Sequence, residues 1–519
     1  FFKPNISTIV GSLYPHGSAQ RDGGFTIFYM GINLGAALAP LLCGYVGEKL
    51  GWHYGFGLAT IGMLVGIAVF VVPTLIARTL ILMGALLAAV GMIALQLIHI
   101  DPILLAVNGV VALALVFSGC VAFVALGREG LPDAAGQPPN PELLRRTVAG
   151  LRLEWAVYTI ALLGVPLVGG LVYLNRTTTL IPDAVVKSLP ELVGFVAKEA
   201  STPAGMLLLV IGAAALLYLL VESFRSTLVE RQRLWVALIL MGFSLQFWTF
   251  FEQAGTSINN FTDRNVDRIV EDRRITDADV GKALTLTLTQ EQLGYPQNGK
   301  VFTLDQLDDA RAAGEVEATW QIGAEHVGMG IATNEIPAST FQSANPIFIL
   351  LFGTLFSMGW RALAGMGLEP NTPIKFSLGL FQLAAGFGVL WWGAGHCDER
   401  GMVGMGWLVL AYLLHTTGEL CLSPVGLSMI TKLSPARLVS TTMGAWFLAT
   451  AYSSLFAAII AALTGVGGEG GEEGAIPAPL ETIHVYGTVF GQIGAAATVS
   501  GLALLVLSPL LVKWMNGEK

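Results

Sequence analysis

Residues 407–431, WLVLAYLLHTTGELCLSPVGLSMIT, are apolar and long enough to cross a lipid bilayer, which takes roughly 20 residues of helix. Glu419 lies near the middle of this stretch, close to Ser423 and Pro424. A carboxylate at that depth is costly, so such residues usually face a partner group or a water-filled cavity. This span therefore predicts a membrane protein with polar chemistry inside it.

The polar residues of this span share one helical face, because His415, Glu419, Ser423 and Gly426 are three or four positions apart. Two interpretations are open. Glu419 is either a buried carboxylate satisfied by a neighbouring helix or part of a site for a substrate or a proton.

The composition of the 519-residue chain is that of a polytopic membrane protein, with 54% hydrophobic and 12% charged residues and a mean hydropathy of +0.67. A soluble domain carries about twice that charged fraction. Most of the net charge of −8 belongs to residues 262–335, which hold 14 acidic and 7 basic residues. The acidity lies in one solvated segment and gives no indication of nucleic-acid binding.

The four cysteines, Cys43, Cys120, Cys397 and Cys421, form no CxxC pair and no Cys/His cluster at metal-ligand spacing. We expect neither a disulfide framework nor a metal site.

The first residues, FFKPNISTIVGSLY, are typical of the second half of a hydrophobic helix, so we expect upstream membrane helices to be missing from this sequence. Lys3 either reaches to the membrane interface or, if it lies deep, needs an anion.

The span 22–46 contains Tyr29 and Asn33, which are four apart and share a face. That face either lines a cavity or bonds a neighbouring helix.

The span 235–261 is predicted as one continuous helix, with Trp248, Glu252 and Asn259 along one face. Glu252 is the second intramembrane acid, unless the helix ends there in water.

Residues 262–338 form a hydrophilic insert, in which KALTLTLTQEQ alternates like a strand and TLDQLDDARAAGEVE predicts a short helix. About 70 residues is too long for a structureless loop, so we expect a small folded cap. The next span, 339–363, opens with polar residues that include Asn345. A membrane helix tolerates such amides where they bond another helix or line a cavity.

The remaining predicted spans are 53–72, 79–98, 103–126, 154–174, 203–222, 376–395, 402–429, 441–463 and 486–512. If the spans alternate in direction, the basic residues of the short loops concentrate on one side, which marks that side as cytoplasmic. This topology puts the insert outside and the C-terminus in the cytoplasm.

Six stretches in order resemble the hallmarks of one family: FFKPNIS, DGGFTIFYMGINLGAALAPLLCGYVGEKLGWHYGFG, FWTFFEQAGTSINNF, FQSANPIF, GELCLSPVGLSM and MGAWFLATAYSS. The family is the proton-dependent oligopeptide transporters (POT/PTR) of the major facilitator superfamily. Six motifs in the same order make the resemblance specific.

The resemblance implies an all-α polytopic membrane protein with two helical bundles around a central cavity. Residues 1–75 would end the N-terminal bundle, without its first three helices and part of the fourth, and 76–230 would hold extra transmembrane helices between the bundles. Residues 231–261 would be the first helix of the C-terminal bundle, 262–338 the extracytoplasmic insert, and 339–519 the rest of that bundle. Two departures stand out: four spans lie between the halves instead of two, and the family's first-helix motif, two glutamates followed by an arginine, is absent from these residues.

The resemblance also implies roles for side chains. Lys3 would hold the peptide carboxylate and Glu419 the peptide amino group, and the two would pair to close the inner side when no peptide is bound. Tyr29, Asn33 and Asn345 would bond the peptide backbone.

Four further residues complete the implied site. Trp248 and Trp446 would shape pockets for peptide side chains, and Ser423 would join the substrate site. Glu252, together with Glu419, would carry the coupling proton.

The expected function is proton-coupled symport of di- and tripeptides by a monomer in the cytoplasmic membrane, with protons as the coupling ion, no cofactor, and membrane lipid around the protein. A zwitterionic peptide offers the same two charged ends whatever its side chains, so one cation and one anion recognise all of them. Two alternatives remain: a relative that carries an amino acid derivative or nitrate, and a sensor that binds peptides without moving them. An enzyme is disfavoured, because the sequence holds no GxSxG, HExxH or HxxxD motif.

Overall fold

The structure is a computed structural model, and it describes residues 20–71, 74–98, 102–128, 142, 145–148, 150–297, 299–332, 335–435, 437–462 and 477–517. Within these residues the chain is mainly helical, and eleven helical stretches are long and apolar enough to cross a membrane. The predicted polytopic, all-α architecture is confirmed.

The α-helices of the described residues are α1 Gln20–Leu38, α2 Tyr45–Leu50, α3 Trp52–Val71, α4 Thr74–Ile98, α5 Pro102–Arg128, α6 Leu153–Thr177, α7 Asp183–Lys187, α8 Glu191–Ala200, α9 Pro203–Arg225, α10 Leu228–Phe251, α11 Ser257–Asn265, α12 Leu304–Ala312, α13 Ala344–Gly365, α14 Thr372–Ala394, α15 Met405–Leu433, α16 Val439–Ala462 and α17 Pro479–Trp514. The strands of the same residues are β1 Thr147–Val148, β2 Leu151–Arg152, β3 Val266–Asp267, β4 Arg273–Arg274, β5 Ala283–Thr287, β6 Pro296–Gln297, β7 Lys300–Val301, β8 Glu317–Gln321, β9 Gly330–Ile331 and β10 Val403–Gly404. The strands pair in twos, as β1 with β2, β3 with β10, β4 with β9, β5 with β8 and β6 with β7.

The chain divides into two compact units. Of the described residues, the smaller unit comprises those within Pro132–Trp235 and Ser434–Leu448. The larger unit comprises those within Gly17–Leu131, Val236–Leu433 and Ala449–Lys519. The division of the chain into the five predicted segments stays a prediction.

An ion pair anchors the end of α9 within the smaller unit. Glu222, which is 9% exposed, accepts hydrogen bonds from Arg437 and, at 3.3 Å, from Arg225. Arg437 also donates to Ser226 Oγ at 2.7 Å. A buried carboxylate is tolerated when charged donors satisfy both of its oxygens, so these contacts hold α9 to the segment that precedes α16.

The first membrane-crossing stretch of the larger unit contains a widened turn. A π-helix, Ala39–Gly44, separates α1 from α2. Pro40 lies in this turn, and because proline has no backbone N–H it cannot complete the regular α-helical ladder. The sequence predicted one uninterrupted span here, and the chain does stay helical, but with a local change of pitch.

The pair α4 and α5 packs against α1 within the larger unit. Their shared core contains Leu34, Ala37 and Leu41 from the first stretch, with Met92 from α4 and Val111 from α5. These two helices correspond to the predicted spans 79–98 and 103–126, which are confirmed as helices.

The hydrophilic insert is folded, as predicted. The alternating segment forms β5, which pairs antiparallel with β8 so that Leu286 lies opposite Ala318, and the second segment forms α12. Trp320 and Leu307 are almost completely buried in the core of the insert. The rest of that core consists of Ile275, Leu286, Leu288, Leu293, Phe302, Leu304, Ile322 and Met329.

Glycines of α14 allow α15 to approach closely. A Cβ at Gly379 would lie 2.8 Å from the carbonyl oxygen of Gly418, and a Cβ at Gly386 would lie 2.5 Å from Nε2 of His415. The two α14 glycines are seven residues apart and therefore lie on the same helical face. Small residues at such a crossing let two membrane helices pack backbone to backbone. The crossing fixes the position of α15 at Gly418, one residue before Glu419.

We predict that Gly379→Ala lowers the thermal stability of the protein in detergent, because the added methyl overlaps the α15 backbone. Overpacking of this kind costs about 1–3 kcal/mol. Gly388→Ala is the matched control in the same helix, since a Cβ there meets no atom within 4 Å. Equal unfolding temperatures for the two variants would contradict the close crossing.

Candidate functional site

The carboxylate of Glu419 is the centre of a polar cluster formed by three helices. Glu419 lies on α15 and is 5% exposed. Tyr29 of α1 donates its hydroxyl hydrogen to Glu419 Oε1 at 2.9 Å, and Asn345 of α13 donates from Nδ2 to Glu419 Oε2 at 2.9 Å. Each carboxylate oxygen thus accepts a bond from a different helix. Three residues predicted for the site, Glu419, Tyr29 and Asn345, are in direct contact.

Asn345 reaches Glu419 because the start of α13 is held against α1. A 3₁₀-helix, Ala338–Ser343, leads into α13, and Asn345 is the second residue of the helix. Ser343 donates from Oγ to the carbonyl oxygen of Ala37 at 3.2 Å. The polar residues before Pro346 thus bond another helix, which is one of the two outcomes expected for them.

Thr416 also belongs to the cluster, although it was not predicted as a site residue. Its hydroxyl donates to the carbonyl oxygen of Tyr412 at 2.6 Å and accepts from Asn345 Nδ2 at 3.0 Å. Thr416 is three positions before Glu419, a spacing that puts both residues on one helical face. The spacing of three residues between Thr416 and Glu419 could have predicted that Thr416 belongs to the site. The predicted polar face instead contained His415, Glu419, Ser423 and Gly426.

Asn33 and Ser423 flank the cluster along their helices. Asn33 is 6% exposed, and its Nδ2 donates to the backbone oxygen of Tyr29 at 2.9 Å. The Ser423 hydroxyl is buried and has no hydrogen-bond partner among the described residues. Buried hydroxyl groups without a partner are uncommon, so Ser423 lies where another polar group would be favourable. The predicted roles of both residues stay predictions.

His415 packs between helices. Its ring centroid lies 4.7 Å from that of Phe387 and 6.4 Å from that of Phe251, and the residue is 2% exposed. The predicted polar stripe is therefore divided, with Glu419 in the polar cluster and His415 against the aromatic side chains.

Glu252 lies at a break in the helix, which corrects the prediction of one continuous helix over 235–261. The α-helix α10 ends at Phe251, and a 3₁₀ turn, Glu252–Gly255, precedes α11. Trp248 and Asn259 consequently do not lie on one uninterrupted α-helical face with Glu252. Glu252 is half-buried, and within the described part of the chain its carboxylate has no hydrogen-bond donor.

The neighbouring Gln253 explains why the helix breaks. This side chain is fully buried, and its Nε2 donates to the backbone oxygens of Thr249 at 3.2 Å and Ala457 at 3.1 Å. Its Oε1 accepts from Ser257 Oγ at 2.6 Å. The Gln253 side chain thus bonds groups on both sides of the break. These bonds compete with the backbone hydrogen bonds of a regular α-helix. The helix propensity of the local sequence could not predict these bonds, because Ala457 is distant in sequence from Gln253.

Three further residues were predicted for the site: Trp248, Trp446 and Lys3. Trp248 stacks edge to face with Phe247 and Phe251, at centroid distances of 5.7 and 5.1 Å. Trp446 lies on α16 in the smaller unit and is 6% exposed. Lys3 lies outside the described residues, so its predicted pairing with Glu419 stays a prediction.

Three carboxylates of the insert, Asp267, Glu271 and Glu291, have oxygens within 4.8 Å of one another, as a metal site requires. Arginines already neutralise two of them. Arg274 pairs with Glu271 at 2.5 Å, and Arg400 pairs with Glu291 at 3.1 Å. The arrangement is accounted for as an ion-pair network.

The sequence profile of one family, described as the POT family, matches residues 1–80 and 314–474. Among individual proteins, the chain is similar to the peptide transporter YePEPT of Yersinia enterocolitica, with 28% identity over all of this chain and 73% of that protein. It is also similar to dipeptide and tripeptide permease A of Edwardsiella piscicida, with 24% identity over all of this chain and 74% of the relative.

A solved structure shares the fold. The crystal structure of a peptide transporter POT in complex with sulfate superposes with a TM-score of 0.56 at 28% identity, and the match covers 99% of this chain and 73% of the other.

Proposed function

We propose that the chain is a membrane transporter of the POT family, not an enzyme, and that it carries di- and tripeptides together with protons by alternating access. The likeness to the crystal structure of a POT peptide transporter at 28% identity supports the fold of the major facilitator superfamily. The relatives named as peptide transporters support peptides as the substrate class. The observation that carries the proposal is the buried Glu419 carboxylate, which α1, α13 and α15 surround with polar groups.

Glu419 takes the amino group of the peptide. A carboxylate that is 5% exposed has lost nearly all of its water, and two neutral donors, Tyr29 and Asn345, replace part of that hydration. An ammonium group adds the attraction between two full charges to its hydrogen bond with the carboxylate, which the hydroxyl and the amide do not provide. The peptide terminus therefore competes well for the carboxylate, whereas a neutral solute does not.

The opposite end of the peptide needs a cation, and Lys3 is our candidate. A free peptide carries one positive and one negative terminus regardless of its sequence. Recognition at the two ends accommodates many side chains, which then contact Trp248 and Trp446. Asn33, Asn345 and Ser423 supply polar contacts to the peptide backbone.

Glu252 carries the coupling proton. It lies at a helix break, is half-buried, and has no hydrogen-bond donor within the described residues, so protonation relieves an unsatisfied charge. The membrane potential adds about 2.3 kcal/mol per charge per 100 mV to inward proton movement. Glu419 is the second titrating group, because its protonation weakens the bond to the ammonium and releases the peptide.

We further propose that the protein is a monomer in the cytoplasmic membrane, surrounded by lipid, with its C-terminus in the cytoplasm and the insert outside. The distribution of basic residues among the short loops supports this orientation. No cofactor is required, since protons supply the driving force.

The proposal is tested by uptake of dialanine into proteoliposomes that contain the intact protein. An inward acid gradient should drive accumulation, and Glu419→Gln should raise KM roughly tenfold or more, because a hydrogen bond to a charged group contributes about 1.5–3 kcal/mol. An unchanged KM in Glu419→Gln would reject its role. Competition by nitrate or free alanine at the level of dialanine would reject peptides as the substrate class.

A separate test concerns the proton. Glu252→Gln cannot ionise, so gradient-driven accumulation should be lost while exchange of labelled for unlabelled dialanine continues. The matched control is Glu481→Gln, which removes an exposed carboxylate in the first turn of α17 and should keep both activities. Full gradient-driven uptake by Glu252→Gln would remove Glu252 from proton coupling.

A further inference from the structure

The hydrogen-bond pattern around Asn345 fixes which end of its amide group faces a bound molecule. Nδ2 carries two hydrogens, and both are used: one bonds Thr416 Oγ1 at 3.0 Å and the other bonds Glu419 Oε2 at 2.9 Å. The carbonyl oxygen Oδ1 accepts no hydrogen bond from the described residues, and Asn345 is half-buried. An acceptor thus remains beside the Glu419 carboxylate.

Thr416, together with Glu419, determines this orientation. A hydroxyl has one hydrogen, and Thr416 donates it to the backbone oxygen of Tyr412 at 2.6 Å. Towards Asn345 the hydroxyl can therefore only accept. A flipped amide would direct Oδ1 at the Thr416 oxygen and at the Glu419 carboxylate. Both of these groups are acceptors, so each contact would set two acceptors against each other and disfavour the flipped form.

We propose that Thr416 is a positioning residue, which holds the Asn345 amide so that Oδ1 and the Glu419 carboxylate together accept the N–H bonds of a primary ammonium group. This inference rests on the proposed function and specifies how the amino terminus of the substrate is bound. An ammonium has three hydrogens to donate, so a second acceptor next to the carboxylate satisfies one that Glu419 alone leaves unpaired. Without the Thr416 oxygen, only the Glu419 carboxylate still opposes rotation of the amide, so Oδ1 is held less firmly towards the ammonium.

The test is dialanine uptake by Thr416→Val, which keeps the shape of the side chain and removes the hydroxyl. We expect KM to rise severalfold, up to about tenfold, with kcat little changed, because the contact of Asn345 Oδ1 with the charged ammonium is weakened. Thr416→Ser retains the hydroxyl and should restore the wild-type KM. The matched control is Thr417→Val, since the Thr417 hydroxyl bonds only the backbone oxygens of Leu413 and Leu414 among the described residues.

A double-mutant cycle separates positioning from a general effect on structure. If Thr416 acts through Asn345, Thr416→Val should have almost no further effect on KM in an Asn345→Ala background. The pH profile of uptake should keep its shape in Thr416→Val, in contrast to Glu419→Gln. Should Thr416→Val unfold in detergent, Thr416→Ala provides the same loss of hydroxyl.

The outcomes distinguish this inference from the proposed function. Wild-type KM in Thr416→Val, or additive effects of the Thr416 and Asn345 variants, would overturn the positioning role while wild-type uptake still supported peptide transport. Failure of the wild-type protein to take up dialanine would overturn the proposed function and this inference together.

Discussion

A carboxylate in the middle of a membrane helix constrains everything around it. Hydrocarbon cannot solvate the charge of Glu419, so neighbouring helices must bring donors to it. Tyr29 and Asn345 meet that demand from α1 and α13, and each does so at 2.9 Å. Both helices are thereby held against α15, the helix that carries the charge.

The packing of the α14 backbone against the α15 backbone also sets the position of Glu419. Gly379 and Gly418 bring α14 and α15 into direct backbone contact one residue before Glu419, so the position of the carboxylate is set by a helix crossing that tolerates no extra atom. Ser343 fixes the start of α13 to α1, and Asn345 follows two residues later. Rigid elements thus position the polar side chains, as accurate recognition of a small charged group requires. An apolar substitution at Gly379 acts on the site although it contacts the Gly418 backbone and none of the polar side chains that bond Glu419.

The sequence was sufficient to predict the elements and most of the cluster. Long apolar runs predicted the spans, period-two alternation predicted β5, and Tyr29, Asn345 and Glu419 were identified from ordered motifs that resemble one family. The features that the sequence did not predict are the helix break at Glu252 and the role of Thr416. Both depend on atoms far apart in the chain or on the direction of a hydrogen bond. The Gln253 side chain, at the helix break, bonds the backbone oxygen of Ala457, which is distant in sequence. The place of Thr416 in the cluster depends on the direction of its hydrogen bonds with Tyr412 and Asn345.

The central claim is that the buried carboxylate of Glu419 recognises a charged amino terminus. The most direct measurement compares the binding of dialanine and N-acetyl-dialanine to the purified wild-type protein in detergent by calorimetry. Acetylation removes the ammonium and leaves the carboxylate and both methyl side chains, so we expect affinity to fall roughly tenfold or more. Equal affinity for the two compounds would contradict the account.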